Sequence, residues 1–250
     1  MTDRVALVMG ASRGIGRGIA ASLAREGARV GVASRSLERV EVTAAELRDE
    51  CGADVEAFEA DAEDLDRLGE LPGEVAERLG PVDVLVTNTG GPPPGEALGH
   101  GHDEWESAYR SLVLAPRILV EAVLPGMRER GWGRIVNVGS TSTEEPIPGL
   151  ALSNVHRSAA VAFFKTLARE VAADGVTMNT VATGRIATGR LVELAGSMET
   201  VEERAREEVP AGRLGTIEEY GDLVAFLASV RAAYVTGTVI PIDGGLLRGT

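Results

Sequence analysis

Residues 5–16 read Val5-Ala6-Leu7-Val8-Met9-Gly10-Ala11-Ser12-Arg13-Gly14-Ile15-Gly16, and the order within this stretch decides the fold. Five consecutive apolar residues predict a strand buried on both faces. Residues 14–25 read as a helix. Between strand and helix lies a turn with glycines at positions 10, 14 and 16. Glycine permits a tight turn and lets a bound group come close to the backbone. The helix N-terminus beyond it offers unpaired N–H groups and a positive dipole end, which suit a pyrophosphate. Strand, glycine turn and helix in this order form the context that gives such a pattern its meaning.

The alternation continues outward from there. Residues 29–33, 55–58, 82–87, 134–138, 176–181 and 238–242 read as further strands. Leu37, Val40, Ala44 and Leu47 recur at helical spacing. Residues 63–79 look helical but carry Leu71-Pro72-Gly73, which predicts a break. Longer helices are expected over 102–130, 153–173 and 218–229. Such an order predicts an α/β fold: a single doubly wound parallel sheet of the Rossmann type, about seven strands, with helices on both faces. No linker, repeat or low-complexity tract divides the chain, so residues 1–250 are expected to form one dinucleotide-binding domain. Ligands of such sheets bind beyond the carboxyl ends of the strands.

Composition narrows the function classes. The chain has 250 residues, 44% hydrophobic and 25% charged, with a formal net charge of −13. No basic stripe interrupts the acidity, which argues against a nucleic-acid partner. No apolar run is long enough to span a membrane, and the N-terminus enters an apolar strand without a signal-peptide pattern. A lone cysteine, Cys51, cannot form an internal disulfide, so a cytoplasmic location is expected. Three histidines and one cysteine without ligand spacing predict no metal site. Lys165 is the only lysine, and Tyr109, Tyr220 and Tyr234 are the only tyrosines.

Several motifs together carry a family resemblance. The turn has the spacing G-x-x-x-G-x-G. Asp61 follows the third strand, Asn88-Thr89-Gly90 the fourth and Gly139-Ser140 the fifth. Thr188 lies beyond the sixth, and Tyr234-Val235-Thr236-Gly237 precedes Asp243-Gly244-Gly245. Over nearly its whole length the chain resembles the short-chain dehydrogenase/reductase family, and within it the bacterial 3-oxoacyl-acyl-carrier-protein reductases. The resemblance implies a nicotinamide dinucleotide, a small carbonyl or alcohol substrate and a homo-oligomer, tetramer or dimer. It places the cofactor on Gly10, Ser12, Arg13, Gly14, Ile15 and Gly16, on Asp61 and Ala62, and on Asn88, Thr89 and Gly90. Further contacts fall on Arg157, Gly184, Ile186 and Thr188. The second strand ends in Ala33-Ser34-Arg35-Ser36, with no acid to hold a ribose 2′-hydroxyl. Ser34, Arg35 and Ser36, with Arg13 in the turn, suit a 2′-phosphate, so NADP(H) is expected over NAD(H).

The catalytic positions depart from the family pattern. The resemblance implies a tyrosine, a lysine four residues later, a serine, and an asparagine on the preceding long helix. Those positions fall on Ser153, Arg157, Ser140 and Leu112. Val113, Val224 and Thr238 follow the three tyrosines at the fourth place, so the chain contains no Tyr-x-x-x-Lys. Lys165 stands eight residues past Arg157, about 12 Å farther along a helix. An aliphatic hydroxyl is a far weaker acid than a phenol, and arginine does not release a proton. His156, three residues after Ser153, is the titratable candidate nearby. Arg185, Ile186, Arg190, Leu191, Leu194 and Met198 are expected to form a lid. Two readings follow: an NADP-dependent oxidoreductase with an atypical site using Ser140, Ser153, Arg157 and His156, or an NADP(H)-binding sensor or partner protein with little or no catalysis. Non-redox chemistry on the same scaffold is a weaker third.

Overall fold

A computed structural model describes residues 1–249. Seven parallel strands form one sheet: β1 (Val5–Met9), β2 (Arg29–Ser34), β3 (Val55–Glu59), β4 (Val84–Thr87), β5 (Gly133–Val138), β6 (Val176–Thr183) and β7 (Val239–Ile242). Their order is β3-β2-β1-β4-β5-β6-β7. The chain winds one way from β1 to β3, then crosses back to β4 beside β1 and winds the other way. The switch between β1 and β4 therefore opens a crevice at their carboxyl ends.

Strand residues divide between two cores. Ala6, Val8, Val30, Val32, Val84, Val86 and Val181 face α1 (Gly14–Arg25), α2 (Leu37–Cys51) and the later helix Ile217–Ala228. Val5, Leu7, Met9, Leu85 and Ile135 face α3 (Leu65–Leu79), the helix Ala115–Glu129 and the helix Ala151–Val171. Alternate residues of each strand thus point to opposite faces, both covered by helices, which is why the strands read as continuous apolar runs.

Two expectations need correction. Helix α3 runs through Pro72 without a break. An interior proline costs about 3 kcal/mol. The stripe Leu68, Leu71, Val75 and Leu79 is buried along the whole helix, and each such side chain contributes roughly 1.5–3 kcal/mol. Packing of the stripe outweighs the missing N–H. The long helix of residues 102–130 is not uniform either. It comprises α4 (His102–Tyr109), a wider π-type turn over Arg110–Leu114, and α5 (Ala115–Glu129). The remaining helices are α6 (Ala151–Val171), α7 (Gly189–Ala195), α8 (Met198–Glu208) and α9 (Ile217–Ala228). Helices α7 and α8 fill the stretch expected to be a lid. No helix among the described residues is long and apolar enough to cross a membrane.

Helix α1 is fixed against α9 by contact of backbone on backbone. A Cβ added to Gly18 would stand 2.4 Å from the Ile217 carbonyl oxygen, and one on Gly221 would stand 2.4 Å from that of Gly18. This contact sets the tilt of α1, and so the direction in which its first N–H groups point.

Candidate functional site

The glycine turn is built by interactions from three sides. Gly10 and Gly14 have φ of 60° and 57°, a conformation that side chains resist. The Ala11 N–H donates to the Ala33 carbonyl (3.1 Å), tying the turn to the end of β2. Thr43 Oγ1 on α2 donates to the Ser12 carbonyl (3.2 Å). Asn88 Nδ2, just past β4, donates to the carbonyls of Met9 (3.2 Å) and Gly10 (3.3 Å). A Cβ on Gly16 would meet the Gly10 carbonyl oxygen at 2.3 Å and Asn88 Nδ2 at 2.8 Å. Asn88 thus closes the crevice floor and leaves no room for a side chain there.

The N-terminus of α1 above that floor is open. Its N-cap, Arg13, is extended (φ −167°), no side chain caps the helix, and no acid lies in the first turn. Helices α2, α3, α8 and α9 are all capped by the side chains of Ser36, Asp64, Ser197 and Thr216. Thr188 stands over the turn, 3.5 Å from a Cβ built on Gly14. Ile186 is buried and bridges to Gly215, and Gly184 packs on Asp243. The predicted members Asn88, Thr188 and the glycines therefore come together around the first turn of α1.

At the end of β2 the hydroxyls are already engaged. Ser36 Oγ accepts from the Arg39 N–H (3.4 Å) as the cap of α2, and Ser34 Oγ donates to the Ser36 carbonyl (3.2 Å). Arg35 is exposed and forms no ion pair among the described residues. Arg13 is paired with Glu193 of α7 (3.1 Å). Asp61 Oδ1 accepts from the Glu63 N–H (3.1 Å) at the rim of β3.

Two neighbouring residues on α6 point to different partners. Arg157 Nη1 donates to the Val138 carbonyl (2.7 Å) at the end of β5, two residues before Ser140. The Ser140 hydroxyl accepts from the Ser142 N–H (3.1 Å), which leaves its own hydrogen free. His156 turns instead toward α4. Its Nδ1 bonds the Leu152 carbonyl at 2.8 Å, and its ring lies 5.3 Å from Trp105 and 6.3 Å from Tyr109. Leu112, expected at the family's asparagine position, is 3% exposed and lies inside the wide turn.

One phenol reaches this region from an element that no local spacing would connect to it. Tyr220 of α9 is wholly buried, and its hydroxyl bonds Thr183 Oγ1 (3.0 Å) and donates to the Val181 carbonyl (3.3 Å). Burial pushes this phenol well above the ordinary tyrosine range; the Thr183 bond and the Arg157 charge only partly oppose that. Enclosed and held protonated, Tyr220 does not present an acid to the crevice. Arg157 is itself drawn below the usual arginine value by burial; the Tyr220 phenol opposes this and the like charge of Arg190 adds to it.

Comparison with known proteins places this geometry. The family profile described as enoyl-(acyl carrier protein) reductase matches residues 10–247. A 3-oxoacyl-[acyl-carrier-protein] reductase of Haemophilus influenzae is 36% identical over 248 residues, covering 98% of this chain and 99% of that protein. The L-sorbose reductase of Gluconobacter frateurii, solved with NADPH and L-sorbose, superposes with a TM-score of 0.95 at 29% identity, over 100% of this chain and 98% of the other. An NADPH-bound short-chain oxidoreductase of Pseudomonas aeruginosa, described as containing an atypical catalytic center, superposes with a TM-score of 0.92 at 28% identity, over 99% and 98%.

Asn88→Ala removes both bonds from β4 to the glycine turn and leaves two carbonyls without that partner. A loss of about 1–3 kcal/mol is expected in urea denaturation. An unchanged midpoint would show that Asn88 does not hold the turn.

Proposed function

The chain belongs to the short-chain dehydrogenase/reductase family, and from that premise we propose that it is an NADP-dependent oxidoreductase of a carbonyl or alcohol substrate with an atypical active site. The observation that carries this is the uncapped first turn of α1, with no acid in it, floored by Gly10, Gly16 and Asn88. Such a cradle fits a diphosphate and admits no side chain. Relatives of similar shape were solved with NADPH. Ser12, Gly14, Ile15 and Gly16 would hold the diphosphate, and Asp61 and Ala62 would flank the adenine. Asn88, Thr89, Gly90, Gly184, Ile186 and Thr188 would frame the nicotinamide half, and Arg157 its ribose. Arg35, exposed and without an ion-pair partner, supports the preference for a 2′-phosphate.

When bound, a reduced nicotinamide supplies a hydride to a carbonyl carbon. The protein's part is to place and polarise that carbonyl. The free hydrogen of Ser140 donates to the substrate oxygen, and Ser153 offers a second hydroxyl one helical turn from Arg157. Arg157 favours the negative charge that develops on that oxygen but keeps its own proton. With His156 turned to α4 and Tyr220 enclosed, the proton comes from water.

A second reading, an NADP(H)-dependent sensor or partner protein, is favoured by the same three facts: Ser153 for the phenol, Leu112 buried in the wide turn, and His156 turned away. Calorimetric titration separates the cofactor question from the catalytic one. NADPH is expected to bind at least tenfold tighter than NADH, and Arg35→Ala to remove most of that ratio by weakening NADPH alone. Equal affinities, or an unchanged ratio in the variant, would reject the NADP preference. The combined variant Ser153→Tyr, Arg157→Lys, Leu112→Asn is then expected to raise NADPH oxidation with small ketones at least tenfold. A folded, NADPH-binding but inert variant would show that these positions are not the active site.

A further inference from the structure

Helix α7 lies across the crevice without an apolar anchor. None of its side chains is buried, whereas the next helix, α8, buries Val201 and Ala205. The segment leading into α7 is fixed to the stretch before α9. There the Ala187 N–H donates to the Gly215 carbonyl (2.9 Å), and the Gly215 N–H to that of Arg185 (2.9 Å). Beyond this base, α7 depends on polar bonds. An element with few buried apolar contacts belongs to the least stable part of a fold, so those bonds decide where it rests.

The bonds form one chain. Arg13, at the start of α1, reaches over to α7. Its Nη1 lies 3.8 Å from a Cβ built on Gly189, and its Nη2 donates to Glu193 Oε1 (3.1 Å). The other oxygen of Glu193 accepts from Arg190 Nη1 (3.5 Å). Arg190 Nη2 in turn donates to the Pro92 carbonyl (2.7 Å), and its guanidinium lies against Gly91, where an added Cβ would meet Nε at 3.1 Å. The chain begins on the turn after β1 and ends on the loop after β4, the two rims of the switch crevice. Glu193 is the one acid in it and joins its two arginines. Arg13 and Glu193 are exposed, and such a pair adds little to the stability of a whole domain. It is enough to bias a helix that buries no side chain.

We infer that Arg13, Glu193 and Arg190 form a latch that holds α7 down over a bound dinucleotide and slows its release. This rests on the nucleotide reading above. All three are positioning residues here: they act through α7, and Arg13 serves the lid rather than a 2′-phosphate. The latch therefore slows NADPH and NADH alike. Simple electrostatics points the other way. Glu193 is an acid beside the glycine turn, where an anion would sit, and losing its charge would by itself favour the bound nucleotide. The sign of the Glu193 effect thus separates a latch from a mere field.

The test follows release of NADPH and of NADH from the full chain by stopped-flow fluorescence, chased with an excess of the oxidised form. Glu193→Gln, nearly the same size at an exposed position, is expected to speed both about threefold. In an Arg13→Gln background the same change is expected to add nothing, because the pair is already broken. Unchanged or slower release in Glu193→Gln, or a change confined to NADPH, overturns the latch. So does an undiminished effect in the Arg13→Gln background. Those results leave the nucleotide reading in place, whereas a chain that takes up neither dinucleotide overturns that reading and the latch with it.

Discussion

The first turn of α1 has N–H groups that the protein does not satisfy, and much of the structure keeps them so. Asn88 draws the end of β4 onto the carbonyls of Met9 and Gly10, and Thr43 holds Ser12. The contact of Gly18 with α9 aims the helix axis. Helices α2, α3, α8 and α9 are capped by side chains; α1, like α6 and α7, has no such cap and begins at an extended arginine. An uncapped terminus is costly unless water or a ligand completes it. The site therefore begins as a deficit of acceptors, which the proposed diphosphate would fill.

A second imbalance lies two strands away. A phenol and a lysine at the family positions would form a pair able to exchange a proton. Ser153 and Arg157 form a hydroxyl and a fixed positive charge. Tyr220 does not restore the pair, because its hydroxyl is held by Thr183 and Val181 inside the core between α9 and the sheet. His156 does not restore it either, being committed to Leu152 and the rings of α4. On the proposed reading the crevice keeps the means to bind and polarise an oxygen, and no side chain there delivers the proton.

Local pattern revealed the strands, the glycine turn and the doubly wound order, because burial on two faces and helical periodicity are written in neighbouring residues. It misled at Pro72, where the cost of a proline is local but the gain from Leu68, Leu71, Val75 and Leu79 comes from the core they meet. Ser36, read as a phosphate ligand, also caps α2 by accepting from the Arg39 N–H, a role that a serine two residues before Glu38 at a helix start signals. Glu193 with Arg13, Arg190 with Pro92, and Tyr220 with Thr183 are between 37 and 180 residues apart in sequence. No spacing rule connects such pairs, since packing of separate elements brings them together. His156 was visible as a titratable group near Ser153, but which side of α6 it faces depended on Trp105 and Tyr109, more than forty residues upstream.

On the proposed reading the open amides of α1 receive the nucleotide, and every other role assigned to the crevice depends on that. Backbone amide resonances of Ser12, Gly14, Ile15 and Gly16, followed by NMR as NADPH is added, test it without any need for turnover. The largest shifts are expected at those four amides, saturating together with the calorimetric affinity. Saturable binding with these resonances unmoved and the shifts centred elsewhere would contradict the account.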